Sequence, residues 1–344
     1  MQFRGFVLGG GAYDRQGERC FALSIVNLDA RSQAPELVAT PFLPHGLAVD
    51  PHDPCRVVVF EKKGPGAALL DLYRPRSLTR TIETLETRHF YGHGVFSADG
   101  ALLYATESQL DDALAGRVVV RDGRSFDELG SLPTGGAAPH DCALIDEGRT
   151  LVVTNGGGPF GAPHGEASVA YIDVDTGKIR DRLAIPDPRF NAGHLATNSV
   201  GDLAVVSAPR DGLRPEYPPL GAVTLRPRGG QARTMTGPPE VVARMLGETL
   251  SVLLDDAHDL VLATHPLGNM VTVWRLSSGT WLETIDVQNP RGVAMSLDGG
   301  AYIVSHSAGP SVRLSAYARP TREHLGVVID PSFMSGSHLY VLAL

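Results

Sequence analysis

A repeat of nearly constant length, four short strand-like stretches inside each unit and a histidine heading most units predict an all-β chain, folded radially as a seven-bladed β-propeller. The markers are Pro44-His45-Gly46-Leu47, Gly92-His93-Gly94-Val95, Pro139-His140-Asp141-Cys142, Gly193-His194-Leu195-Ala196 and Ser337-His338-Leu339-Tyr340, and 48, 47 and 54 residues separate the first four histidines in turn. Radial repetition sets equivalent positions around one axis, so histidines distant in sequence become neighbours.

The N-terminal stretches Phe6–Gly9, Phe21–Leu28 and Glu36–Phe42 supply three strands, and Leu339–Leu344 supplies a fourth, so strands from both chain ends close one blade. After His45 come strands near Val57–Phe60, Ala67–Leu72 and Thr79–Leu85. The unit after His93 reads Gly94-Val95-Phe96, a turn Ser97-Ala98-Asp99-Gly100, then Leu102–Thr106, Arg117–Val120 and Leu129–Leu132, the content of one blade. His140 is followed by Thr150–Thr154, Ser168–Asp173 and Lys178–Ile185, and His194 by Asp202–Ser207 and a loop rich in proline and arginine. Two further units contain Leu250–Leu254, Leu260–Thr264, Val271–Leu276 and Trp281–Val287, then Arg291–Ser296, Ala301–Ser305 and Val312–Tyr317. Heads at His45, His93, His140, His194, Leu250, Arg291 and His338 make seven blades. One segment breaks the rhythm: Pro238–Gly247 has proline at its start, acid in its first turn and glycine at its end, and predicts a short inserted helix.

Closed all-β architectures run large, so residues 1–344 are read as one propeller domain. Apolar content of 43% suits a substantial core, and a net charge of −8 without a basic run argues against nucleic acid as a partner. Cys20, Cys55 and Cys142 lie far apart without a C-x-x-C pair. No stretch is long and apolar enough to span a membrane, and the N-terminus as given carries no export signal.

In a four-stranded blade the start of the innermost strand and the end of the second share a face. The markers occupy the first place; the second-strand ends read Glu61, Glu107, Asn155, Ser207, His265 and His306. Together they predict a rim of imidazoles and carboxylates around one opening, with Arg291 at the seventh marker. The metal-ligand set expected is His45, His93, His140, His194, His338, Glu107, Glu61, His265 and His306, with Arg291 and Asn155 holding a bound anion or chelate. Glycine-histidine pairs also serve structural roles in WD-type propellers. Histidine is only 12 of 344 residues, however, so seven equivalent positions would hold well under one by chance, and no unit carries a tryptophan-aspartate signature. His164 lies in a glycine-rich loop that could fold over the mouth. Gly156–Gly161 matches G-x-G-x-x-G, yet proline and further loop follow where a phosphate site needs a helix. No G-x-S-x-G, H-E-x-x-H or P-loop is present.

The stretch His89-Phe90-Tyr91-Gly92-His93-Gly94-Val95-Phe96-Ser97, with Leu103–Glu107, Gly135–His140, Thr150–Gly157 and Gly193-His194-Leu195, resembles a family of largely uncharacterised bacterial β-propeller proteins. The resemblance covers nearly the whole chain. It implies a seven-bladed propeller, a periplasmic setting and association with other iron-uptake proteins; a cytoplasmic setting is the alternative.

The resulting expectation is a propeller that binds iron in a central cup, as a carrier or accessory of iron uptake. Imidazoles suit iron, copper and zinc, and the carboxylates of Glu61 and Glu107 tilt the choice toward iron. Copper is the alternative ion. A metal-dependent, lactonase-like hydrolase using Glu61, Glu107 and Asn155 is the alternative from another class.

Overall fold

A computed structural model describes residues 3–30, 33–161 and 165–344. Among these the chain is almost wholly β: 28 strands pair only antiparallel, in five sheets of four strands and one of eight. Most sheets follow chain order. Pro139–Ile145, Thr150–Asn155, Ser168–Asp173 and Ile179–Ala184 lie side by side, for example, and the same meander recurs from Pro290–Met295 to His324–Ile329.

Burial explains the sequence of each strand. Every residue of the two middle strands Thr150–Asn155 and Ser168–Asp173 is buried, so both faces carry apolar or hydrogen-bonded side chains, whereas Ile179–Ala184 is largely exposed and accordingly charged. The apolar residues sort into clusters lying between consecutive meanders. Val58, Phe60 and Ile82 of one pack on Phe90, Leu103 and Phe126 of the next. The last meander packs on the first in the same way, through Ala294 and Ile303 against Val7 and Val26.

Both chain ends share one sheet, as expected: Tyr340–Leu342 pairs with Phe6–Arg15, Val7 opposite Val341, beside Glu18–Asn27 and Glu36–Thr40. The eight-stranded sheet is two meanders fused at one corner. Strand Asp53–Gly64 overruns its partners, and Lys62 and Gly64 pair with Tyr91 and Phe90 of Arg88–Phe96. That overrun places Lys62 beside the histidine motif of the next unit.

The inserted helix is shorter than the sequence suggests. Only Pro239–Val242 is α-helical, and the chain then tightens into turns in which Arg244 N and Met245 N donate to Val241 O and Val242 O. Four residues cannot sustain an α-helix by local bonding, so packing of Val241 and Met245 holds the segment. No helix among the described residues is long and apolar enough to cross a membrane. His164 lies outside the described residues.

Candidate metal centre

The inner and second strands fall out of step at the marker. Pro44 faces Glu61 and Leu47 faces Val59, so one strand spends three residues where its partner spends two. The same extra residue occurs between Pro139 and Cys142 and between Pro290 and Val293, and two extra residues lie between Phe90 and Gly94. Each is a β-bulge, which kinks the strand and re-aims the side chain inside it. His45, His93, His140 and Arg291 are bulge residues.

A hydroxyl fastens these bulges to their neighbours. Thr106 Oγ1 lies 3.1 Å from both His93 O and His140 O, Thr154 Oγ1 accepts from Asp141 N and donates to Gly193 O, and Thr264 Oγ1 accepts from Ser251 N and donates to Arg291 O. One threonine thus ties its own bulge to the next unit's marker. Two glycines let the rings approach. A Cβ on Gly46 would lie 2.6 Å from His93 Nδ1, and one on Gly92, whose φ of +112° also disfavours a side chain, would lie 2.4 Å from His45 Cδ2.

All five marker histidines meet. Ring centroids of His45, His93, His140, His194 and His338 are 4.0–5.4 Å apart for the pairs in contact. His140 Nε2 lies 2.8 Å and His45 Nε2 3.2 Å from His194 Nε2. Nitrogens bound to a single ion at about 2.0–2.1 Å stand roughly 2.9–3.4 Å apart, so the His45–His194 spacing matches an edge of a coordination sphere. One nitrogen each from His45, His93, His194 and His338 falls within a 4.8 Å span.

The surroundings fix which nitrogens are free. His194 Nδ1 contacts Leu250 O, which can only accept, so Nδ1 carries the proton and the Nε2 lone pair points into the cluster. His93 Nδ1 is 3.1 Å from Asp141 Oδ1, which favours the same tautomer. Asp141 is held by the amides of Cys142 and Leu195, at 2.8 and 3.0 Å. Nε2 of both His93 and His338 is buried without any hydrogen-bond partner among the described residues. A buried orphan nitrogen is costly unless something occupies it.

Burial, reinforced by the charge of Lys62, drives His93 to about 3 and holds His45 and His140 well below the usual imidazole range. Burial and neighbouring imidazoles do the same to His194 and His338. Burial lifts Asp141 to about 6 against its hydrogen bonds. The cluster at neutral pH is therefore a set of uncharged imidazoles, the ligand form of histidine.

The second-strand ends do not join it, and this corrects the expected rim. The marker histidines turn inward, while the partner residues project between sheets or onto their own hairpins. Glu107, fully buried, is bound by Arg121 Nη2 at 2.8 Å, with Arg88 Nε at 3.4 Å and the Thr84 hydroxyl. His265 lies between Thr249 and Thr272, at 3.2 and 2.8 Å, and His306 bonds Ser315 at 2.9 Å. Asn155 exchanges hydrogen bonds with Thr134. Glu61 borders the cavity beside His45, but its Oε2 accepts from Gly66 N at 3.1 Å. Arg291 borders the same cavity, its Nε donating to Gly336 O. Asp141, Thr106, Thr154 and Thr264 were not singled out from sequence; a threonine recurring one place before the second-strand end was the available signal.

Fold and centre define a class: an all-β, propeller-like protein with a buried histidine cluster where its inner strands meet. The chain belongs to the family described as protein of unknown function DUF1513, whose profile matches residues 38–335. No curated protein matches it in sequence. Among solved structures it is similar to the hydrazine synthase of Kuenenia stuttgartiensis, at 16% identity over 86% of this chain and 91% of that one, TM-score 0.67. It is also similar to a chain of the mitotic checkpoint complex, at 14% identity over 89% and 87%, TM-score 0.63. At such identities the likeness concerns the fold.

Proposed function

We propose that this protein is a seven-bladed propeller that binds a first-row transition-metal ion through His45, His93, His194 and His338, with His140 beside them. The observation that carries the reading is the pair of buried, unpartnered Nε2 atoms on His93 and His338, set against the inward Nε2 of His194. In metal sites the ligating histidine donates its other ring N–H to a carboxylate or carbonyl, the roles Asp141 and Leu250 O fill here.

In the sequence, the carboxylates of Glu61 and Glu107 tilt the choice of ion toward iron. With Glu107 neutralised by arginines and Glu61 turned onto Gly66, the donor set becomes imidazole, which suits iron(II), copper, nickel and zinc. The proposal of iron, with a role in uptake and a periplasmic setting, then rests on the family resemblance. Copper is the second reading, supported by the imidazole-only donor set and its place at the head of the affinity order. The hydrolase site of Glu61, Glu107 and Asn155 is not assembled, because Glu107 and Asn155 are engaged elsewhere.

Competitive titration of the apoprotein with iron(II), copper(II) and zinc(II) tests the proposal. Tight binding of at least one ion, lost in His93→Ala/His194→Ala, is the expected result. Equal affinity in wild type and double variant would overturn it.

A further inference from the structure

We propose that the mouth above the histidine cluster is an oxyanion site, built to hold a carboxylate or phosphate group over the metal; the placement over a metal rests on the reading above. Two adjoining cavities of about 440 and 370 Å³ open there, the first touching His45 and Arg291, the second His140, Lys63 and Tyr91; Lys62 and Glu248 line both. Lys62 and Arg291 arrive from different sheets, on Asp53–Gly64 and Pro290–Met295.

Neither cation is consumed by the protein. Arg291 spends only Nε, on Gly336 O at 3.3 Å, and its two Nη groups meet no acceptor among the described residues. Among the described residues Lys62 Nζ has only Glu248 Oε1, at 4.0 Å. Lys63 lies 5.6 Å from the centroid of the Tyr91 ring and adds a third positive charge at the same opening. Of the two glutamates there, Glu61 already accepts from Gly66 N.

Cations beside neutral imidazoles oppose the entry of a bare dication, since like charges repel more strongly away from bulk water. An anion travelling with the ion, or arriving after it, removes that opposition. The free guanidinium fork matches the two oxygens of a carboxylate or phosphate, and an ammonium adds a point charge to the same group. A ligand of this kind would bring the ion as an anionic complex or close the coordination sphere on the open side.

The test loads the protein with copper(II) and titrates oxalate and, separately, phosphate, following the visible ligand-field band and the heat of binding. One anion per protein and a shifted band are expected for wild type. Lys62→Gln/Arg291→Gln should retain the same copper content yet bind the anion at least tenfold more weakly. A response to oxalate alone identifies carboxylate as the class, and to phosphate alone, phosphate. No response to either, or equal affinity in both proteins, overturns the proposal. If wild type retains no copper, the apoprotein is titrated with the same anions. Binding that depends on Lys62 and Arg291 then upholds the oxyanion site while the metal reading falls, and its absence overturns both.

Discussion

At the scale of single residues, the centre depends on small groups that free larger ones. Asp141 touches His93 on the nitrogen facing away from the cluster, so Asp141→Asn removes the anionic acceptor while keeping the shape. Second-sphere losses of this kind weaken metal affinity by about 10–100-fold. Competition against a chromophoric chelator should show that drop with unchanged stoichiometry; unchanged affinity would mean that Asp141 does not orient a ligand. Gly92→Ala meets both a disfavoured φ of +112° and the ring of His45. Strain alone costs about 1–3 kcal/mol. A midpoint in urea equal to that of wild type would contradict the interlocked geometry.

The markers were legible because imidazole is rare and its recurrence at one register is conspicuous. What they face was less legible. A strict period of two assigns Glu107, His265 and His306 to the same side as the markers, but bulges of one residue at His45, His140 and Arg291, and of two at His93, re-aim the marker side chains. His-Gly and Gly-His pairs were the visible trace of the bulges, glycine being needed for the close approach of two rings.

At the scale of elements, the threonine bridges couple neighbouring meanders where the histidines emerge. Thr154→Val keeps the volume and leaves Asp141 N and Gly193 O without their partner. Net hydrogen bonds are worth about 0.5–1.5 kcal/mol, and a buried orphan costs about 1–3. Thermal unfolding of the variant should show a loss in that range together with weaker metal binding; loss of stability alone would mean that the bridge does not position the centre. Strand order and the pairing of both chain ends were readable from apolar stretches and turn residues. The helix was overextended because start and stop signals do not reveal whether packing sustains the turns between them.

At the scale of the molecule, five uncharged imidazoles gathered in the interior make stability depend on pH. Their folded values lie below the unfolded value of about 6.5. The unfolded chain therefore binds more protons between the two, and the stability they allow is complete above about pH 6.5 and is lost as pH falls through the folded values. Asp141, raised to about 6, works in the opposite sense but is one group against five. Calorimetry of the apoprotein should show a transition temperature that is level above about pH 6.5 and falls from there to pH 5, more shallowly when three of the histidines are replaced by Gln. A flat profile would contradict a buried, neutral cluster.

Metal in the histidine cluster is tested by anomalous diffraction from crystals of protein purified without an affinity tag and soaked with one transition ion, recorded at that ion's absorption edge. A peak within bonding distance of Nε2 of His93, His194 and His338 is expected. A peak confined to surface histidines such as His52, with none among the five markers, would contradict it.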